Sequence, residues 1–163
     1  MLKGRRGRWM TVAVLLGLAA GLPAAAEDRF TRNGDGTVTD HRQGLMWAST
    51  DNQGDIGWKE AGQWIRFTFG STIPARHEGW RMPSLAELAS LFVDDDAYDG
   101  YETECGLRVK VVPEIRLTCG WVWAADSDQV TASVFNFTRG IHYTERKVHH
   151  RAHRALAVRD LTP

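Results

Sequence analysis

The densest cluster of side chains able to do chemistry lies near the C-terminal end of the chain. His149, His150 and His153, with His142 upstream, are interleaved with Arg139, Tyr143, Arg146, Lys147 and Arg151. Imidazoles of this kind offer two kinds of chemistry. A pair four positions apart on a helix, as His149 and His153 would be, can share a zinc ion. Alternatively the histidines titrate within a basic strip that strengthens as the pH falls and attracts an anionic polymer. The stretch from Arg146 to Arg154 lacks helical periodicity and reads as an exposed loop leading into a last strand. The second use, ligand binding by the strip, is therefore expected, and zinc is not favoured.

A second concentration is acidic. Asp94, Asp95, Asp96 and Asp99 offer oxygen ligands of the type calcium takes. Consecutive aspartates point in different directions, however, and no Glu-Pro-Asn or Gln-Pro-Asp triplet accompanies them, so a solvated acidic loop is expected rather than a calcium site. Asn33-Gly34-Asp35-Gly36 also evokes a calcium loop. Aligning Asp35 and Gly36 with its fifth and sixth positions puts Thr31 at the first and Arg42 at the twelfth, where carboxylates are required, and the reading fails. None of the serines at 49, 71, 84, 90, 127 and 133 sits in an activating context. Phosphate loops and dinucleotide fingerprints are missing from the sequence too. No intrinsic catalysis and no cofactor are expected.

The N-terminal segment sets the compartment in which this chemistry would operate. Lys3, Arg5, Arg6 and Arg8 precede an apolar run from Met10 to Leu22 and the small residues Ala24, Ala25 and Ala26. This is the pattern of a secretory signal peptide, residues 1–26, cleaved near Ala26. The run is short for a membrane span, so no stable membrane insertion is expected after cleavage. Arg5-Arg6 lacks the surroundings of a twin-arginine signal. The expected product, residues 27–163, is periplasmic or secreted. Cleavage removes four of the twenty basic residues and no acidic one, leaving sixteen against twenty. That mildly acidic balance argues against a nucleic-acid partner. Cys105 and Cys119 are the only cysteines, and in an oxidising compartment a disulfide between them is the expected state.

About 137 residues suit one domain with a sizeable core, burying roughly two-thirds of the unfolded chain's surface. Trp47, Trp58, Trp64, Trp80, Trp121 and Trp123 are expected to supply much of it. Arg29 to Ala48 reads as an antiparallel meander whose first turn is the Asn-Gly-Asp-Gly segment. Trp58 to Phe67 has an amphipathic helical pattern, with Trp58, Ala61, Trp64 and Ile65 on one face and Lys59, Glu60, Gln63 and Arg66 on the other. Pro83-Ser84-Leu85-Ala86-Glu87 starts a second helix with a capping box, and Leu85, Leu88, Leu91 and Phe92 form its buried stripe. Leu117 to Ala125 and Val130 to Phe137 read as paired strands, and Ala155 to Arg159 as the last strand. The order of elements predicts an α+β domain of antiparallel strands with two helices and a long loop region, in which the N- and C-terminal strands are adjacent.

Several of these segments together resemble the Lcl C-terminal domain family, a bacterial family named for the terminal domain of a collagen-like adhesin. The resemblance rests on the segment from Asn33 to Asp40, on Gly44-Leu45-Met46-Trp47, on Trp58-Lys59-Glu60-Ala61, and above all on Gly79-Trp80-Arg81-Met82-Pro83-Ser84-Leu85-Ala86-Glu87-Leu88. It implies a C-type-lectin-like fold and a binding module whose partner is a glycan or an envelope protein, or else a structural subunit of an envelope assembly. Two departures stand out. Trp123-Ala124-Ala125 replaces a common Trp-Ser-Ser, and Ala157-Val158-Arg159 replaces a closing Cys-Val-Arg, which leaves Cys105 and Cys119 to pair with each other. Formylglycine-generating oxidases, on a related fold, hold copper with paired cysteines, but the resemblance here is to a non-catalytic branch. The Trp80 to Glu87 motif is expected to be structural: an aromatic anchor, a cation awaiting a carboxylate, a proline leading into the helix and a capping acid.

Overall fold

The computed structural model describes residues 28–161; the expected signal peptide lies outside the described residues. The chain begins with the meander β1 (Phe30–Arg32), β2 (Thr37–Asp40) and β3 (Leu45–Ala48). Its first turn is longer than a two-residue hairpin loop. Arg32 pairs with Val38, the Asn33 amide donates to the Thr37 carbonyl, and Asp35 accepts from both the amide and the hydroxyl of Thr37. Asp40 is fully buried, where Arg29 clamps both of its oxygens at 3.1 and 2.7 Å and the amides of Arg42 and Gln43 donate to it.

Next comes α1 (Trp58–Trp64), which does not stop at Phe67. It widens into a π-helical segment (Ile65–Phe69) and ends as the single turn α2 (Gly70–Thr72). Ala61, Ile65 and Phe69 are buried, while Lys59, Glu60, Gln63 and Arg66 face out. The short α3 (Leu85–Ala89) carries the predicted capping box, with Ser84 Oγ accepting from the Glu87 amide at 3.2 Å and the Glu87 carboxylate from the Ser84 amide at 2.7 Å.

A small hairpin, β4 (Tyr101–Glu102) and β5 (Arg108–Val109), leads to β6 (Trp121–Ser127), β7 (Thr131–Asn136), β8 (Ile141–Arg146), β9 (His153–Arg154) and β10 (Val158–Asp160). Two four-stranded sheets result, ordered β1-β2-β3-β10 and β8-β7-β6-β9. The first holds both ends of the domain, but the expected adjacency of the N- and C-terminal strands is corrected: β10 pairs with β3, and β1 and β10 form opposite edges of the sheet. The second departs from expectation in three ways. β6 begins at Trp121 rather than Leu117; an unexpected strand, β9, precedes the expected last one, of which only Val158 and Arg159 are realised, in β10; and β9 runs parallel to β6. β8 carries no clear strand pattern because its one large apolar residue, Ile141, is exposed and its inward positions are Tyr143 and the charged Glu145. The fold is α+β, and one core joins both sheets with α1 and α3, centred on Trp47, Trp123, Leu88, Leu156 and Val158.

The Trp80 to Glu87 motif does the structural work expected of it. Trp80 packs edge-on against Phe69 at 4.8 Å. The Arg81 backbone bonds Val158 in both directions, and its guanidinium grips Glu87 through both nitrogens at 2.9 and 2.8 Å and Asp160 at 3.0 Å. The buried Pro83 receives the Ala125 amide, tying the helix start to β6.

Candidate functional site

The expected basic strip is distributed along β8 and the turn that follows it. Arg139 lies in the turn between β7 and β8, and Lys147 lies just past the far end of the strand. Six extended residues span roughly 20 Å, so the two cations sit at opposite ends of an edge strand rather than in one patch. His142 and Arg146 are exposed, whereas Tyr143 is half-buried against the core. Burial, with Glu145 nearby, pushes its phenol up to about 12.

Beyond Arg146 the chain turns back on itself, and the expectation of an exposed loop as far as Arg154 is corrected. His149, His150 and Arg151 are exposed, but His153 and Arg154 form β9 and are only 1% and 6% exposed. The His153 ring stacks on Trp123 at 4.6 Å and 26°. Its Nδ1 lies 2.8 Å from the Arg151 carbonyl, so that nitrogen carries the proton, and Nε2 is buried without a partner among the described residues. Arg154 donates to Thr118 Oγ1 and to Asp55 at 2.7 Å, while Asp51 accepts from the Thr118 amide and hydroxyl. Burial raises the Asp51 carboxyl despite these bonds; the Arg154 guanidinium holds that of Asp55 low. Neither His153 nor Arg154 is open to a surface ligand. Parallel pairing to β6 placed them inside, a long-range contact with no local signature.

The metal pairings that the sequence offered without favouring them fare differently from the strip. His149 and His153 share no helix; their rings are 5.2 Å apart, and His149 Nδ1 instead faces Glu145 at 3.4 Å. Asp94, Asp96 and Asp99 are exposed on the loop after α3. Asp95 spends one oxygen on the Ala97 amide. Among the described residues no three or more His, Cys, Asp or Glu side chains gather as a metal site would require. Cys105 and Cys119 are bridged, as expected.

Concave surface is concentrated along the outward face of α1. One cleft of about 510 Å³ is lined by Trp58, Gln63, Arg66, Phe67, Trp80 and Met82. A second, of about 810 Å³, lies between the start of α1 and the turn after β8, and is lined by Ile56, Trp58, Glu60, Lys147, Val148 and His150. The two share Trp58 and Lys59. Trp58 is held in place by its indole N–H, which donates to the Ala124 carbonyl at 2.8 Å, and by the Lys147 ammonium 4.1 Å from its ring centre. A third cleft, of about 580 Å³, lies on the other side of the turn and is lined by Asp55, Cys105, Leu107, Trp121, His149 and Arg151. Phe67 and Val148 project from the cleft walls, 76% and 81% exposed. Of the predicted strip, therefore, Lys147 and His150 meet in one cleft, His149 and Arg151 in another, and Arg139, His142 and Arg146 in neither.

Sequence reasoning assigned the α1 side of the clefts to core packing and solvent. Phe67 carried the missed signal: in a regular helix it falls four residues after Gln63, on the polar face, where an exposed aromatic has no packing purpose.

A protein-family model described as the Lcl C-terminal domain matches residues 36–159, from the first turn of the meander to the last strand. The chain belongs to the Lcl C-terminal domain family. No curated protein matches it closely enough to count as a relative. The matched segment of this Lcl C-terminal domain contains the three clefts, the disulfide and the Arg81–Glu87 pair. Among the described residues no helix is long and apolar enough to cross a membrane. The disulfide fits an extracellular setting.

Proposed function

We propose that this Lcl C-terminal domain is an exported, non-catalytic binding module of C-type-lectin-like architecture that holds an acidic glycan along α1. The observation that carries this reading is the pair of clefts meeting at Trp58, with mostly apolar linings and a rim on which Lys59, Arg66, Lys147 and His150, with Gln63, outnumber the carboxylates of Asp55 and Glu60. A pyranose has an apolar face suited to an aromatic ring and a hydroxylated edge suited to such donors, and an acidic sugar adds a charge that the lysine and arginine side chains complement. The site replaces the continuous strip along β8 as the expected contact surface. Export to the periplasm or beyond is supported by the N-terminal signal pattern and by the disulfide.

The test is binding to immobilised polygalacturonate and chondroitin sulfate, with a neutral chito-oligosaccharide as control, at two salt concentrations. Lys59→Glu with Arg66→Glu, both exposed and distant from the core, should weaken polyanion binding about tenfold, and raised salt should weaken it further. Equal binding by this variant and the parent protein would overturn the site. Co-purification of an envelope protein through the same surface, without sugar binding, would replace the glycan by a protein partner.

A further inference from the structure

The turn after β8 walls two clefts, and it is docked through one unusual residue. His153 is 1% exposed, stacked on Trp123, and buries an Nε2 that has no hydrogen-bond partner among the described residues. Since Nδ1 donates to the Arg151 carbonyl, Nε2 is the basic nitrogen. A proton arriving there would place a charged N–H where nothing accepts it, a costly arrangement unless the group reaches water. The turn has the means to give way. Ala152, immediately before His153, holds a left-handed φ of 63°, which costs a non-glycine residue on the order of 1 kcal/mol. At its start the turn is well held, Lys147 donating its amide to the Val130 carbonyl and its ammonium to the Asp128 carbonyl and accepting the Trp58 amide; beyond Lys147 the tethers to other elements thin out to Asp55 accepting the Ala152 amide and the His153 carbonyl accepting the Ile56 amide.

We propose that His153 is a pH-sensitive latch: protonation of its imidazole undocks its ring from Trp121 and Trp123, releases the turn that precedes it and opens the clefts that this turn walls. The consequence for ligand binding rests on the cleft reading above; the latch itself does not.

The charges facing His153 come from three directions. Glu145 and His149 belong to β8 and its turn, Asp55 to the segment before α1, and His150, Arg151 and Arg154 to its own stretch; β6 presents only the neutral Trp121 and Trp123. The two carboxylates would welcome a proton on His153, but Asp55 is already engaged by Arg154 and the Ala152 amide, and Glu145 by the Arg146 amide and His149. Burial prevails and holds the imidazole below its ordinary range. The sign follows. The undocked histidine titrates near 6.5 and the docked one lower, so docking is secure above about 6.5 and weakens as the pH falls through the interval between the two values.

The experiment is a titration of the purified protein from pH 8 to 4.5, following the imidazole proton resonances and amide hydrogen exchange corrected for intrinsic rates. His153 should titrate below about 6.5. Opening of the turn beyond Lys147 should rise by up to about tenfold per pH unit in that interval, with the β1 to β3 meander unaffected. His153→Gln should abolish the pH dependence. If that variant fails to fold, Ala152→Gly, which keeps His153 and relieves the left-handed alanine, should reduce opening at every pH and, by the same linkage, lower the imidazole's titration midpoint. Titration at or above 6.5, opening that spreads to the meander together with the turn, or pH dependence surviving in His153→Gln would overturn the latch. All of these readouts are independent of glycan binding, so the latch and the proposed ligand can fail separately.

Discussion

Replacing Glu87 by alanine removes the centre of the motif that most strongly marks this sequence. Its carboxylate accepts the Ser84 amide at 2.7 Å and both guanidinium nitrogens of Arg81, which in turn hold Asp160 on β10. The lost cap is worth about 1 kcal/mol. A bidentate, charge-assisted pair is worth about 1.5–3 kcal/mol when dry. The Arg81 side chain is 39% exposed and that of Glu87 19%, so water recovers part of this and the lower end applies. The expected cost is therefore about 2–3 kcal/mol, or a fall in Tm of roughly 6–12 °C for a domain of this size. Urea unfolding of Glu87→Ala, Arg81→Ala and the double variant supplies the coupling energy. Acidity provides an independent check. Burial pulls the Glu87 carboxyl upward, but the Arg81 guanidinium and the Ser84 amide and hydroxyl together outweigh it and hold it below the ordinary value. Its contribution is present above about pH 4.3 and is lost as the pH falls through the lower folded value, so the gap between the parent protein and Glu87→Gln should close on that limb. A total cost below about 0.5 kcal/mol, or a gap that persists into acid, would refute the clamp.

Other outcomes follow from single contacts. Replacing Cys105 and Cys119 together by serine should cost about 2–4 kcal/mol, read as a lowered Tm in thermal unfolding, because the bridge no longer restrains the unfolded chain between them. Arg154→Met should destabilise by about 3 kcal/mol in chemical denaturation, because it strips the Thr118 hydroxyl and Asp55 of their donor and leaves buried Asp51 without a nearby positive charge. Gly100→Ala should cost more than about 2 kcal/mol, as φ is +64° and the new methyl would lie 1.9 Å from the Val109 carbonyl oxygen; calorimetry of the variant checks it.

Local chemistry was legible where its partners are near in sequence. Ser84 and Glu87 are three residues apart, so the capping box could be read before any fold was known, and the meander followed from turn residues and short alternating runs. The alternating faces of α1 were likewise evident from spacing, and the cysteine pair from compartment and count. What tertiary structure alone decided concerns partners far apart. Arg154 finds Asp55 across 99 positions and Trp58 finds Ala124 across 66, and nothing in the intervening chain announces either meeting. The histidine cluster shows the difference most directly. Its residues and spacing suggested one exposed, titratable strip. Pairing of β9 to β6 divided it, leaving His149, His150 and Arg151 at the surface and sealing His153 against Trp123. Sequence determined which groups could titrate; burial, set by the packing of distant strands, decided which of them meets water.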